Sequence, residues 1–506
     1  MKPSVLAPVA LALMALASGI ASAATAPAGH AVVQTKGDIK FKSATAGVTP
    51  FIANAKFTGT TLAKVANVSF TISAQPGAKA KPVKVQYSIA ALKARGLAPD
   101  GGPLTLPIFG LYAGVANTIG VSFGFKDGTT QNMNVTVTAA KYVDPNHVYD
   151  KPTLLTPRTD AFLGFSYMYL KSGLGSPVVI DTDGVVRWVG KTIDTSFSST
   201  YDNGVFMIGI HKDDGIYNMQ MDGTTTQFKV DDPTVAWFNH NIVKGRDAYL
   251  TGVDWTSPDG TVNVQSKIAE MTMDGHVVRE WDFAQIISDY MSSMGDDPTQ
   301  FVHPGLNWMH INSSTYDPSD DSLIVSSREQ FVMKVDYDTG AIKWILGDPT
   351  KWWHSFASLR AKQITLEAGN AYPIGQHGVN LEPNGALLLF NNGAPSYGLP
   401  PGEPIGESRT YSMVNAYTID PVAMTGKEVF RYTHNKTLKT NVCSSAYEED
   451  GPSMIIDYAA ADDGKHTHLV ALDAKGDIAF EYQYNNKNCG TGWNTIPIPF
   501  ENLQIN

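Results

Sequence analysis

Residues 307–346, NWMHINSSTYDPSDDSLIVSSREQFVMKVDYDTGAIKWIL, decide how the chain is read. The segment opens on a polar approach. Pro318 with Asp320 and Asp321 is turn chemistry, and the apolar run Leu323 to Val325 is a short strand that ends in Ser326, Ser327 and Arg328. From Phe331 a second phrase, FVMKVDYDTGAIKWIL, is a hairpin folded about Asp338-Thr339-Gly340. A strand followed by a hairpin is a unit that cannot bury its own apolar faces. It needs neighbours of the same kind.

The sequence supplies them. Hairpin phrases recur six times, beginning at Ser176, Ile216, Lys267, Phe331, Val414 and His468, and each is preceded by a strand phrase beginning at Asp160, Asn203, Asp247, Asp321, Asn384 or Gly451. The strand phrases are 43 and 44 residues apart at first and 63 to 74 apart afterwards, which places insertions in the later units. Six such units at this spacing predict a radial array of small sheets, a six-bladed β-propeller over residues 150–506.

Ahead of it, residues 24–145 alternate apolar and polar positions in short runs such as VSFTISA from Val68, VKVQYSI from Val83, IGVSFGF from Ile119 and QNMNVTVTA from Gln131. That is the pattern of a β-sandwich, so the predicted class is all-β, a sandwich followed by a propeller. Three prolines between Tyr142 and Pro157 mark the linker. Met1-Lys2, the apolar run from Val5 to Ala17 and Ala21-Ser22-Ala23 have the three parts of a secretory signal peptide, residues 1–23. The apolar run is too short for a stable membrane anchor, and export to the periplasm is expected. In an oxidising compartment the two cysteines, Cys443 and Cys489, are compatible with one disulfide, the alternative being two buried thiols.

A net charge of −10 argues against a nucleic-acid partner, which would require a basic face. An anionic small molecule would need a local cationic pocket. If each strand phrase marks the innermost strand of its blade, the residue just ahead of it sits at one mouth of the channel. Histidine stands there in three consecutive blades: His240 seven residues before Asp247, His310 eleven before Asp321 and His377 seven before Asn384. Arg328 lies at the far end of the strand that His310 approaches, and Asn312 is two residues beyond His310. His211, His276, His303, His354, His434, His466 and His468 lack this placement and are read as surface or loop residues. Three imidazoles could hold zinc. An arginine beside a divalent cation is unfavourable, so the set suits nucleophilic attack by an imidazole on sulfur or phosphorus, with arginine holding the oxygens.

The phrases NWMHINSSTYDPSDDSLIVSSREQ, KWILGDP from Lys343 and QHGVNLEPNGALLLFNNG from Gln376 resemble those of the bacterial arylsulfate sulfotransferases. The resemblance runs over the whole mature chain, and the family likewise places a sandwich ahead of a six-bladed propeller. It implies transfer of a sulfuryl group from an aryl sulfate donor to a phenolic acceptor in a homodimer, without the nucleotide donor 3'-phosphoadenosine-5'-phosphosulfate. No cofactor and no metal are expected, and no phosphate-cradling glycine loop is found. Matched phrase by phrase, it makes His377 the nucleophile of a ping-pong cycle through a sulfohistidine, with His240, His310, Asn312 and Arg328 binding the sulfate. Trp237, Phe238, Tyr372 and Tyr397 are the aromatic candidates for stacking on a phenol, each equally readable as blade packing.

Two departures stand out. Residues 364–375 lack the cysteine-bridged loop common shortly before the nucleophile, and Asn307 stands where an aspartate is common. A bond between Cys443 and Cys489 would tie the end of the propeller and need not shape the active site. Two other readings stay open at this point: a metal-dependent hydrolase or lactonase using the three histidines, and a propeller that only binds its ligand.

Overall fold

The computed structural model describes residues 38–150, 152–211, 214–449 and 452–506. Residues 1–23, expected to be a signal peptide, lie outside them. No helix among the described residues is long and apolar enough to cross a membrane.

The alternating runs of the first part form two sheets packed face to face. One pairs Lys40–Ala46, Ile52–Thr58 and Leu104–Phe109; the other joins Val83–Ser88, Val65–Ile72, Ala116–Phe125 and Thr130–Thr138. Alternate residues point inward, so Val68, Phe70 and Ile72 on one strand and Val83, Val85 and Tyr87 on the next are fully buried. Edge-on aromatic contacts, Phe57 with Phe123 at 5.1 Å and Phe70 with Phe109 at 5.5 Å, knit the two sheets together.

Six antiparallel sheets follow, each with a core of four strands, and the propeller expectation holds. Each strand phrase is the second strand of its blade and each hairpin supplies the third and fourth. Second strands such as Tyr167–Lys171, Ser322–Ser327 and Leu387–Asn391 are buried along their whole length, because neighbouring blades cover both faces. Outer strands such as Thr225–Lys229 are largely open to solvent.

One expectation is corrected here: the strand phrases do not mark the innermost strands. A further strand precedes each in the sheet and lines the channel: Ser198–Asp202, Val235–Lys244, Ile311–Asp317, His377–Leu381 and Ser445–Glu449 in blades two to six. Several of these are short and rich in serine and asparagine, so they lack the apolar alternation that announces a strand. In blade one the inner strand is Asn494–Pro497, which returns from the far end of the chain to pair antiparallel with Tyr167–Lys171. This pairing closes the ring.

Two more strands cross between the two parts of the molecule. Thr153–Thr156, inside the linker segment, adds an outer strand to blade six beside Ile478–Asn485. Leu503–Ile505, after the last blade strand, leaves the propeller and pairs parallel with Val83–Ser88 of the sandwich. Phe500 is buried where the two meet, with ring contacts to Phe109 of the sandwich at 5.8 Å and to Tyr167 of blade one at 5.4 Å. Nearby, Arg187 donates to the carbonyl of Gly110 and lies over the Tyr112 ring at 3.6 Å. Phe500→Ala is therefore expected to cost about 3–5 kcal/mol through lost burial and the cavity left behind. A chemical-denaturation midpoint equal to the parent's would contradict this packing.

Candidate functional site

The inner strands of blades three, four and five each carry a bulge at the same level. The pairing register slips between Asn239 and Ile242, between Ile311 and Ser313, and between His377 and Asn380. A bulge turns side chains off the regular alternation, and here it aims them across the channel. His240 and His310 adopt left-handed backbone angles, φ 49° and 48°, and Gly378 takes the same region at 61° beside His377. Such angles are costly for a residue with a Cβ and mark geometry held in place by its surroundings.

Four of the residues singled out in the sequence come together. The His240 and His310 rings are 5.0 Å apart, and those of His310 and His377 are 6.4 Å apart. Arg328 is 1% exposed, and its charge acts on both His310 and His377. Asn312 is buried in the inner strand Ile311–Asp317, just after His310, where its amide donates to the carbonyl of Gln376 at 2.7 Å. That contact fixes the residue preceding His377.

The hydrogen bonds define what each ring offers. Asn392 donates its amide hydrogens to the carbonyls of Thr440 and Cys443, which leaves its oxygen facing His377. His377 Nδ1 lies 2.9 Å from that oxygen and 3.1 Å from the carbonyl of Gly375, so Nδ1 carries the proton. The Nε2 lone pair is then available, and it accepts a hydrogen bond from the Cys443 backbone N–H at 3.2 Å. Asn307 donates to both Gln265 Oε1 and His310 Nδ1, each at 2.8 Å, which puts the His310 proton on Nε2. Asn239 donates to Asp254 and turns its oxygen to His240 Nδ1, 3.4 Å away, so His240 presents a free Nε2. The site thus holds two lone pairs and one N–H on three neutral rings.

Arg328 is held by Glu329, whose Oε1 accepts from Nη1 at 2.7 Å, and by the carbonyl of Asn441, which accepts from Nη2 at 3.3 Å. Its buried Nε–H has no protein acceptor. Glu329 also accepts from the backbone N–H groups of Tyr397 and Gly398, and the Tyr397 ring, 61% exposed, lies 3.7 Å from the guanidinium. Buried Lys351, whose pKa desolvation lowers to about 7, donates to the carbonyls of Arg328 and Glu329. A buried cation with an unused donor, beside neutral imidazoles, is a place for an oxyanion.

Of the aromatic candidates, Tyr397 borders this group. Phe238 is core, Trp237 donates to Asp254, and Tyr372 packs in the core between blades four and five. The aromatic wall comes instead from Phe197 and Trp493, stacked at 4.6 Å, with the Trp493 ring 5.7 Å from that of His240. Trp493 reaches the channel only when the ring closes, and Phe197, just ahead of the unannounced inner strand Ser198–Asp202, carries no signal of its own. The expected disulfide is present, and the expectation that it need not shape the site is corrected. Cys443 and Cys489 are bonded, and the bond anchors the segment whose N–H meets His377 and whose Asn441 carbonyl meets Arg328. Of the histidines read as surface or loop, His468 is buried in blade six.

Burial lowers the pKa of both His240 and His377 from 6.5 to about 3, with further lowering by His211 for the first and by Arg328 for the second. An unfolded chain protonates these rings near 6.5. Between those values the unfolded state binds more protons, so their stabilising contribution is full above about 6.5 and is lost as pH falls towards 3. The thermal midpoint should therefore fall on acidification below pH 6.5, and fall less steeply in His240→Gln. An identical slope in the variant would contradict a buried neutral ring.

Comparison with known proteins covers both parts of the chain. The family profile described as Arylsulfotransferase (ASST) matches residues 159–494, and the Arylsulfotransferase Ig-like domain profile matches residues 42–140. Arylsulfate sulfotransferase AssT of Escherichia coli O6:H1 is 34% identical over 148 residues, 26% of this chain and 24% of that protein. AssT of Lelliottia amnigena is 26% identical over 212 residues, 33% of this chain and 35% of that protein. The chain thus spans 24% and 35% of the lengths of these curated relatives. Among solved structures, the β-propeller domain of Myceliophteria thermophila Cps50 (Swd1) aligns at 8% identity with a TM-score of 0.33, covering 67% of this chain and 100% of that one.

Proposed function

Because the chain belongs to the arylsulfotransferase (ASST) family, we propose that it moves a sulfuryl group from an aryl sulfate to a phenol through a covalent sulfohistidine on His377. The observation that carries this reading is the pairing of an unprotonated His377 Nε2, whose lone pair is held by the Cys443 N–H until attack, with buried Arg328, whose Nε–H has no protein acceptor. Attack needs a neutral imidazole. Burial keeps His377 in that form far below neutral pH.

In the first half-reaction Arg328 and the His310 Nε2–H hold the sulfate oxygens while His377 Nε2 forms a bond to sulfur and the aryl oxygen–sulfur bond breaks. The aryl oxygen leaves with the bonding pair. The sulfonated ring is an imidazolium, and its remaining Nδ1–H is held by the Asn392 oxygen and the Gly375 carbonyl. In the second half-reaction a phenol oxygen attacks the same sulfur, the nitrogen–sulfur bond breaks, and His377 is regenerated. The phenol proton passes to His240 Nε2 and from there to solvent, which also protonates the phenolate released in the first half-reaction, so charge and protons balance. Bound sulfate favours a protonated neighbour and so raises the basicity of His240 when it is needed. Asn312 acts by fixing Gln376, and Tyr397 screens Arg328 from water.

One pocket serves donor and acceptor in turn, which requires the first phenol to leave before the second enters. The same reading includes export to the periplasm, guided by residues 1–23, and assembly as a homodimer. Initial rates measured over a matrix of donor and acceptor concentrations should give parallel double-reciprocal lines. His377→Ala should abolish transfer, and Arg328→Lys should lower kcat/KM by about 10²-fold as the two-point grip on the oxyanion is lost. Converging lines, or transfer by a folded His377→Ala variant, would remove the sulfohistidine from the account.

A further inference from the structure

Blade six carries a cluster of ligating side chains that the transfer reaction leaves unused. His466 and His468 are two apart on the strand His466–Leu472, so both imidazoles stand on the same face of the sheet. Asp462 comes from the turn just before that strand. Its Oδ2 lies 2.8 Å from His466 Nδ1 and 3.0 Å from His468 Nε2, and the three ligating atoms all fall within 4.8 Å of one another. Gln483 Nε2 is 3.3 Å from the same carboxylate oxygen and 3.2 Å from His468 Nε2.

Behind these groups is a second layer. The other nitrogen of His468, Nδ1, is 2.9 Å from Glu481 Oε1, and Glu481 Oε2 is 3.2 Å from His434 Nε2. Both His468 and Glu481 are buried. A carboxylate on the far nitrogen of an imidazole fixes the ring's tautomer and orientation and makes the near nitrogen a stronger donor, which is the usual support of a metal-binding histidine. With neutral rings, Asp462 and Glu481 leave the cluster with two negative charges to be balanced.

We propose that Asp462, His466 and His468 bind one divalent cation of the zinc class, with Glu481 orienting His468 and the Gln483 side chain or water completing the shell. Two imidazole nitrogens and one carboxylate oxygen suit zinc, cobalt or nickel better than calcium or magnesium, which favour oxygen-only shells. Bonds of about 2.0–2.2 Å to a tetrahedral ion would separate the ligand atoms by about 3.3 Å, so admitting the ion takes an outward movement of Asp462 from its present contacts together with adjustment of the two imidazoles.

The position suggests a structural role. Ala460, Asp462, Asp463 and Gly464 form one wall of a cleft whose other wall is Thr437, Lys439, Asn441 and Val442. That second wall leads into the segment that touches Arg328 and His377. An ion at Asp462 would brace the turn opposite it, away from the reacting atoms.

The test uses the full-length protein stripped with a chelator and dialysed, then loaded with ZnCl2 or CoCl2 and desalted. His240, His310 and His377 could also take up metal, so the comparison is between variants. The expected result is one metal equivalent per chain that is lost in His466→Gln and in Asp462→Asn but kept in His310→Gln. The loaded cobalt form should show visible d–d absorption that disappears in the same two variants. Glu481→Gln should weaken binding by about 10- to 100-fold through loss of the supporting carboxylate. Circular dichroism checks that each variant is folded, and His466, being partly exposed, is the substitution least disruptive to packing. No uptake by the stripped parent, or an equivalent retained in folded His466→Gln, overturns the proposal.

Discussion

The pairing of Asn494–Pro497 with Tyr167–Lys171 is the contact on which the rest of the molecule depends. A propeller without it is an open row of sheets whose first and last blades expose their apolar faces to water. Closure does more than bury those faces. It brings Trp493 against Phe197 and His240, lets the Trp493 carbonyl accept from the Ser444 N–H, and brings Cys489 to Cys443. The bonded cysteine in turn presents its N–H to His377. The candidate site is thus completed by the last residues of the chain, and the bridge, which closes a loop of 46 residues, stiffens one wall of it.

The second constraint is electrostatic. Arg328 is buried with a carboxylate on one side and an aromatic ring on its face, and its charge still acts on His310 and His377. Any imidazole nearby is driven towards the neutral form, both by loss of water and by repulsion from the guanidinium. The same two forces that make a protonated ring unfavourable make a bound oxyanion favourable. On the proposed reading, nucleophile and anion site share one physical origin. The strained backbone at His240 and His310 shows where the fold bears the cost of this arrangement.

Much of this was legible in the sequence, and the failures have physical reasons. The second, third and fourth strands of each blade were visible because they alternate or run apolar against neighbouring blades. Inner strands such as INSSTYD from Ile311 and NTIP from Asn494 were not, since a strand facing a polar channel has no apolar face to display. His240, His310, His377 and Arg328 could still be found, because the three histidines lie seven to eleven residues ahead of a visible strand phrase and Arg328 lies within one. Cys443 and Trp493 could not, since their approach depends on a loop path and on ring closure; Asn392 sits just after a second strand and Phe197 just ahead of an inner one, but nothing in their type or spacing singled them out. His468 was misjudged for a related reason, as its partners Asp462 and Glu481 are brought together by the blade-six hairpins. Its spacing of two from His466 on a strand was the signal that pointed there.

The central claim is that His377 carries the sulfuryl group between donor and acceptor. The most direct measurement mixes the protein with a chromogenic aryl sulfate in the absence of acceptor, quenches at alkaline pH and maps the modified peptide by mass spectrometry. The account predicts one sulfuryl group per chain, on the peptide containing His377, formed in step with one equivalent of released phenol. A burst of phenol with His377 unmodified and the sulfuryl group on another residue would contradict it.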